Sequence, residues 1–247
     1  MKRLVTVAAY LMVVVLVGVS SLRSAEPGKI PGKAIVRTIT GTATYTKAGG
    51  GTAPLKVNME LDPGDLVTTG AESFVYLSVN GLSSAVRVAA DTTLLIKTME
   101  RTGTWREGTT DTSLDLRVGS IQGQVRKVSA DSNYEISTPH GVAGIRGTDF
   151  AVDVVNNGNG TYTVTFTSIT GTVVASAVVN GQLQTKTLSG GEYWTVGGDV
   201  LPVEIKLLNY ELQLINELIA GVFGPTGPIP IGPIFIRPQP GGGPASG

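Results

Sequence analysis

From about Val36 to Val196 the chain alternates apolar and polar residues with a period of two, the signature of β-strands. The cleanest run is 161–167. There Tyr162, Val164 and Phe166 share the inward face, and Thr161, Thr163, Thr165 and Thr167 share the outward one. Leu114, Leu116 and Val118 alternate with Asp115 and Arg117; Ile121, Gly123 and Val125 alternate with Gln122, Gln124 and Arg126. Both runs predict half-exposed strands. Phe74–Val79 is apolar on both faces, which predicts a strand buried between two layers. Turn signals punctuate these runs at Pro63-Gly64, Asn80-Gly81, Asn157-Gly158-Asn159-Gly160, Asn180-Gly181, Gly190-Gly191 and Gly197-Gly198. Asn-Gly between alternating runs is a strong hairpin signal. The pattern predicts an all-β fold, an antiparallel sandwich or stacked-sheet roll. No exact repeat points to a solenoid.

After Asp199 the period changes. Leu201, Ile205, Leu208, Leu212, Ile215, Ile219 and Val222 follow a 4-3-4-3 spacing, widened by Leu207, Leu214 and Leu218. Pro202 suits a first helical turn and Asp199 a cap, so one amphipathic helix is predicted over 201–223, ending at the glycines 221 and 224. Two roles fit it: cover for an open sheet face of its own domain, or a short seam over 201–222 joining copies of the chain. Residues 224–247 are dominated by Gly and Pro, which exclude a helix or a central strand and predict an extended, disordered tail.

At the other end Lys2 and Arg3 precede an apolar, uncharged run from Leu4 to Val19, followed by small residues at Ser21, Ser24 and Ala25. This predicts a secretory signal peptide over 1–25, with an uncleaved anchor as the alternative. Residues 26–35 read as a Pro/Gly linker, and 36–200 as the β domain. A periplasmic or secreted location follows. The chain has no cysteine, so neither disulfides nor a lipid-bearing cysteine apply. The formal net charge is zero, and near −3 without residues 1–25. Nucleic acid is therefore not expected as a partner.

Two segments carry a family likeness. One is Leu61-Asp-Pro-Gly-Asp-Leu-Val-Thr-Thr-Gly70, with Gly64, Asp65, Thr69 and Gly70 at the marked positions. The other is Thr138-Pro-His-Gly-Val-Ala-Gly-Ile-Arg-Gly-Thr-Asp-Phe150, with Thr138, Pro139, Arg146, Gly147, Thr148 and Phe150. Asp91–Ile96, Leu116–Ile121, Gly171–Val173 and Leu188–Glu192 fill the spaces around them in the same order. Together these segments, spread over 36–196, resemble the FecR family of bacterial extracytoplasmic domains. The resemblance implies an exported β-domain that binds other macromolecules, either a protein partner or cell-envelope glycan. Founding members of the family regulate cell-surface signalling and carry a cytoplasmic sigma-factor-binding domain ahead of a membrane span. Here only two basic residues precede the apolar run, so anti-sigma activity is not carried over. The reading is a non-enzymatic binding or scaffold module; the alternative is an envelope sensor or regulator without that cytoplasmic domain.

Candidate chemistry is sparse. His140 is the single histidine and has no evident orienting partner, so catalysis is not assigned to it. Gly-x-Ser-x-Gly is absent, and no pair of carboxylates stands out. Arg146 is expected to be buried and paired with Asp149 or another acid, as a structural staple beside a left-handed Gly147. Its alternative role is to bind an anion. Asp153 with Asn156, Asn157 and Asn159 departs from calcium-loop spacing, so no metal is expected. No cofactor is expected either. The outward threonine row could lie on a flat repetitive surface, but threonine is also a common exposed strand residue.

Overall fold

A computed structural model describes residues 28–80, 84–103, 108–126 and 131–198, and the backbone of 203–206. The described residues contain strands and turns, with no helix. In chain order the strands are β1 (Ile30–Pro31), β2 (Ala34–Thr40), β3 (Ala43–Thr46), β4 (Thr52–Pro54), β5 (Glu60–Leu61), β6 (Leu66–Thr69), β7 (Phe74–Val79) and β8 (Ser84–Val88). Then follow β9 (Thr93–Thr102), β10 (Thr109–Val125), β11 (Asn133–Ser137), β12 (Gly141–Asn156), β13 (Tyr162–Val179), β14 (Gln182–Ser189), β15 (Glu192–Gly197) and β16 (Val203–Lys206).

All sixteen belong to one sheet. It is mixed rather than purely antiparallel, because β10 and β11 run parallel. Three strands of sixteen to eighteen residues organise it by changing partners half-way. The first part of β10 pairs with β9 and β11; the second part pairs with β8 and β12. β12 meets β11 before the change and β10 after it. β13 meets β15 first and β14 afterwards. Each change falls at a glycine with positive φ: Gly119 (95°), Gly147 (60°) and Gly171 (74°). A Cβ at any of the three would be strained in that conformation. At Gly119 it would also stand 2.2 Å from Thr92 Oγ1.

The sheet therefore has two halves that share one apolar cluster. Val75, Val88, Ile121, Val152, Phe166 and Trp194 form one ladder row of it, all buried. Leu94, Ile96, Leu114, Leu116, Ile136, Ile145 and Val173 supply the other half. Phe150 of β12 reaches across to Tyr134 of β11, with ring centroids 6.2 Å apart. Phe74–Val79 is buried on both faces, as its sequence predicts.

Three expectations change. Ile30–Pro31 of the expected linker pairs with β9, and β2 starts at Ala34, two residues before the expected boundary. Val203–Lys206, expected as the first turn of the C-terminal helix, is instead strand β16 against β15. The reason is local: Val203 and Ile205 are β-branched and alternate with Glu204 and Lys206, and the edge of β15 offers unpaired backbone groups. Thr167, expected outward, is 1% exposed. The expected signal peptide 1–25, the remainder of the expected helix to residue 223 and the tail 224–247 lie outside the described residues.

Phe150 joins the two halves, so Phe150→Ala should lower stability by about 3–5 kcal/mol in urea denaturation of the full-length chain. A loss below about 1 kcal/mol would contradict the shared core.

Candidate functional site

The two family segments fold into separate polar staples. In the first, Gly64 (φ 95°) turns the chain and its N–H donates to Ile96 O at 2.7 Å. Asp65 is 1% exposed, and its carboxylate accepts the Asp62 N–H at 3.0 Å and stands 3.8 Å from Lys47 Nζ. Thr69 is buried; its hydroxyl donates to Ala89 O at 2.5 Å and accepts the Thr92 N–H at 3.0 Å. The Thr92 hydroxyl in turn accepts the Ser120 N–H at 3.0 Å, beside the β10 change of partners. The Gly70 N–H donates to Thr42 O. Apart from the Asp65–Lys47 ion pair, these bonds satisfy backbone groups that the ladder leaves over.

The second segment opens with a tight turn. The Thr138 hydroxyl donates to Gly141 O at 2.9 Å and accepts the Gly141 N–H at 3.1 Å, with exposed Pro139 between them. At the β12 bend Thr148 is 1% exposed. Its hydroxyl donates to Arg146 O at 2.9 Å or Thr172 O at 2.8 Å, and accepts the Thr172 N–H at 3.2 Å. Asp149 accepts from Gln124 Nε2 at 2.8 Å and from the Thr170 hydroxyl at 2.7 Å. These residues line a shallow polar depression with Arg126. Phe150 closes the segment in the core.

Arg146 is exposed, contrary to expectation, and Asp149 takes its hydrogen bonds from Gln124 and Thr170 instead. The irregularity between Arg146 and Asp149 sets the alternation of β12 so that Ile145 and Thr148 face inward and Arg146 outward. The staple at this bend is Thr148, which the motif contains but charge-based reasoning passes over.

The other candidates disperse. His140 stacks edge-on near Tyr162, with centroids 6.4 Å apart, and its buried Nε2 has no hydrogen-bond partner. Asn156, Asn157 and Asn159 spend their side chains on the 157–161 hairpin. No group of three metal-ligating side chains occurs among the described residues. The threonine row is likewise engaged: Thr161 with Asn157 and Asn159, Thr163 with Asn157, Thr165 with Thr195. Burial pushes the Asp153 carboxyl up to about 6, partly offset by a hydrogen bond from Ser120.

Sequence reasoning missed two features. One is a buried polar row that includes Arg87, 4% exposed. Its signal was a lone charge inside Ala85-Val-Arg-Val88. The other is the edge strand β14, which among the described residues pairs only with β13. Val174, Val178 and Leu183 stand exposed beside it, at 43%, 59% and 73%.

The family model described as FecR protein matches residues 65–190, half of the chain, and covers the second staple and the first from Asp65 onward. The chain belongs to the FecR family. Two crystal structures of a candidate anti-sigma factor from Parabacteroides distasonis are similar to it at 11% identity, with TM-scores of 0.45 and 0.44. Each alignment covers 60% of this FecR chain and 62% of the neighbour, so it spans about three fifths of that protein's length. No curated protein matches the sequence.

Two predictions follow from the staples and from Asp153. Arg146→Ala should leave the melting temperature within about 2 °C of the parent, whereas Thr148→Val should cost about 1–3 kcal/mol by stranding buried backbone groups. The reverse ranking in thermal melts would restore Arg146 as the staple. Folding raises the Asp153 carboxyl above its unfolded value, so the folded form holds a proton between about pH 4 and 6 that the unfolded chain has released. Stability should fall as pH rises through that window and level off above it. Asp153→Asn should flatten that slope and add on the order of 1–2 kcal/mol at pH 7.5, read by urea melts across pH. An unchanged slope would contradict the desolvation.

Proposed function

We propose that this FecR domain is an exported, non-enzymatic module of the bacterial cell envelope that binds a protein partner through an open strand edge. The observation that carries this reading is β14, an eight-residue strand that has a ladder partner on one side only among the described residues. Val178 and Leu183 are cross-strand neighbours at its start and both are exposed. Free backbone donors and acceptors beside exposed apolar side chains are what a partner strand needs in order to add to a sheet. Natural edges are commonly guarded by an outward lysine. The one lysine of β14, Lys186, instead has its ammonium 5.6 Å from the Trp194 ring centroid.

Family membership favours a second reading with the same geometry: an envelope sensor or regulator in transmembrane signalling, whose partner would be a membrane receptor. The two readings differ in the identity of the partner rather than in the surface used.

In-cell crosslinking of the tagged full-length chain, with and without Val178→Lys plus Leu183→Lys, tests both. The double variant should keep its melting temperature and lose the crosslinked partner. Capture of a receptor or signalling protein would select the sensor reading, and another envelope protein the scaffold reading. Undiminished crosslinking, or glycan alone as the captured material, would overturn binding through this edge.

A further inference from the structure

The hairpin turn fixes which backbone groups of β14 point away from β13. Asn180 (φ 52°) and Gly181 (φ 75°) make a two-residue turn, left-handed at both centres, that closes on Val179 and Gln182 as a hydrogen-bonded pair. Hydrogen-bonded and non-bonded pairs then alternate along the ladder. Gln182, Gln184, Lys186 and Leu188 therefore spend their backbone groups on β13, while Leu183, Thr185, Thr187 and Ser189 turn theirs outward. The Ser189 N–H is taken, donating to the Glu192 carboxylate at 2.9 Å. The outward groups of Leu183, Thr185 and Thr187 meet no other strand among the described residues.

The side chains on the solvent face of this hairpin have a symmetric order. Val174 stands opposite Thr187, Ser176 opposite Thr185, and Val178 opposite Leu183. The first and third rows carry the exposed apolar residues Val174, Val178 and Leu183. The middle row is polar, with its two hydroxyls 2.8 Å apart. Lys186, the one charged residue of β14, lies on the other face, opposite buried Ala175 and with its ammonium over the Trp194 ring.

We propose that the occupant of this edge is the same edge of a second copy of the chain, paired antiparallel about a two-fold axis at Thr185. The inference rests on the edge-binding reading above and names its partner. In this register Leu183 faces Thr187 of the second copy, Thr185 faces its own counterpart, and Thr187 faces Leu183 of the second copy. All three outward residues of each chain find backbone partners, in about six hydrogen bonds. Each apolar row is extended, because Val178 and Leu183 continue into Thr187 and Val174 of the second copy. The middle row brings two threonines together, a favourable cross-strand pair. Lys186 meets Gln184 of the second copy, so no like charges stand face to face.

Neighbouring registers do worse. With the axis at Gln184, Thr187 falls opposite the turn residue Gly181, and Leu183 lies beside Thr185 and Ser176 of the second copy instead of Val174. With the axis at Lys186, the two lysines face each other, and Leu183 falls opposite Ser189, whose N–H is already taken. The symmetry of the rows selects a second copy, since an unrelated strand gains nothing from it.

The chain has no cysteine of its own, so single cysteines in the purified full-length chain read the register directly. Thr185→Cys should give a disulfide-linked dimer under mild oxidation, because facing residues of a hydrogen-bonded pair stand about 5.5 Å apart. Leu183→Cys and Thr187→Cys should each fail to crosslink alone and should crosslink when mixed. Sedimentation should give the parent the mass of two chains, and Val178→Lys plus Leu183→Lys the mass of one at an unchanged melting temperature. A monomeric parent, a dimer that persists in the lysine variant, or equal crosslinking by all three cysteines would overturn the two-fold pairing. The in-cell crosslinks judge edge binding separately. A monomeric parent whose crosslinks to another protein vanish in the lysine variant would overturn the second copy and leave the edge reading standing. A monomeric parent with undiminished crosslinks would overturn both.

Discussion

The rest of the domain depends on three long strands that change partners half-way along. A flat sheet of this many strands would leave both faces wet and would bury too little to fold. By turning at Gly119, Gly147 and Gly171, strands β10, β12 and β13 place their two ends in different halves of one sheet. The two halves then share a single apolar cluster. Wherever a ladder is interrupted, backbone donors and acceptors lose their partners, and in a buried bend each such loss is expensive. Threonine hydroxyls make up the difference. Thr148 serves β12 and β13, while Thr69 and Thr92 serve the turn between β8 and β9 and the bend of β10.

This explains why the motif residues of the family read poorly as chemistry. Gly64, Asp65, Thr69, Thr148 and Phe150 close the sheet and are held by neighbours on all sides. Membership in the family therefore attests to a way of folding. The surface proposed for recognition, the β14 edge with its exposed Val178 and Leu183, lies apart from these residues. The opposite face of the other half-sheet behaves differently: its middle is buried, with Arg87 held beside Phe74 and Gln122.

Much of the fold was legible in the sequence. The period-two runs mark the strands, and the doubly apolar Phe74–Val79 is central as its composition demands. Gly147 takes the left-handed conformation expected of it. Side-chain direction at the bends was not legible, because an irregularity of one or two residues reverses inside and outside. Arg146 points to solvent for that reason. Pairing partners also escaped sequence reasoning. The parallel β10–β11 pair and the capture of Val203–Lys206 as an edge strand are set by distant segments, and helical spacing alone competed for the latter. The buried row through Arg87 was hidden because a charge on an alternating strand reads as solvated unless something covers that face.

Native-state hydrogen exchange resolved by residue tests the central claim most directly. If the bends hold the sheet together, the amides of Thr172 and Asp149, which donate to Thr148 and Thr170, should exchange only when the whole domain unfolds. The outer amides of β14, which have no ladder partner among the described residues, should exchange far more easily. Bend amides that open as readily as those of β14 would contradict the account, since the two halves would then be joined by the apolar cluster alone.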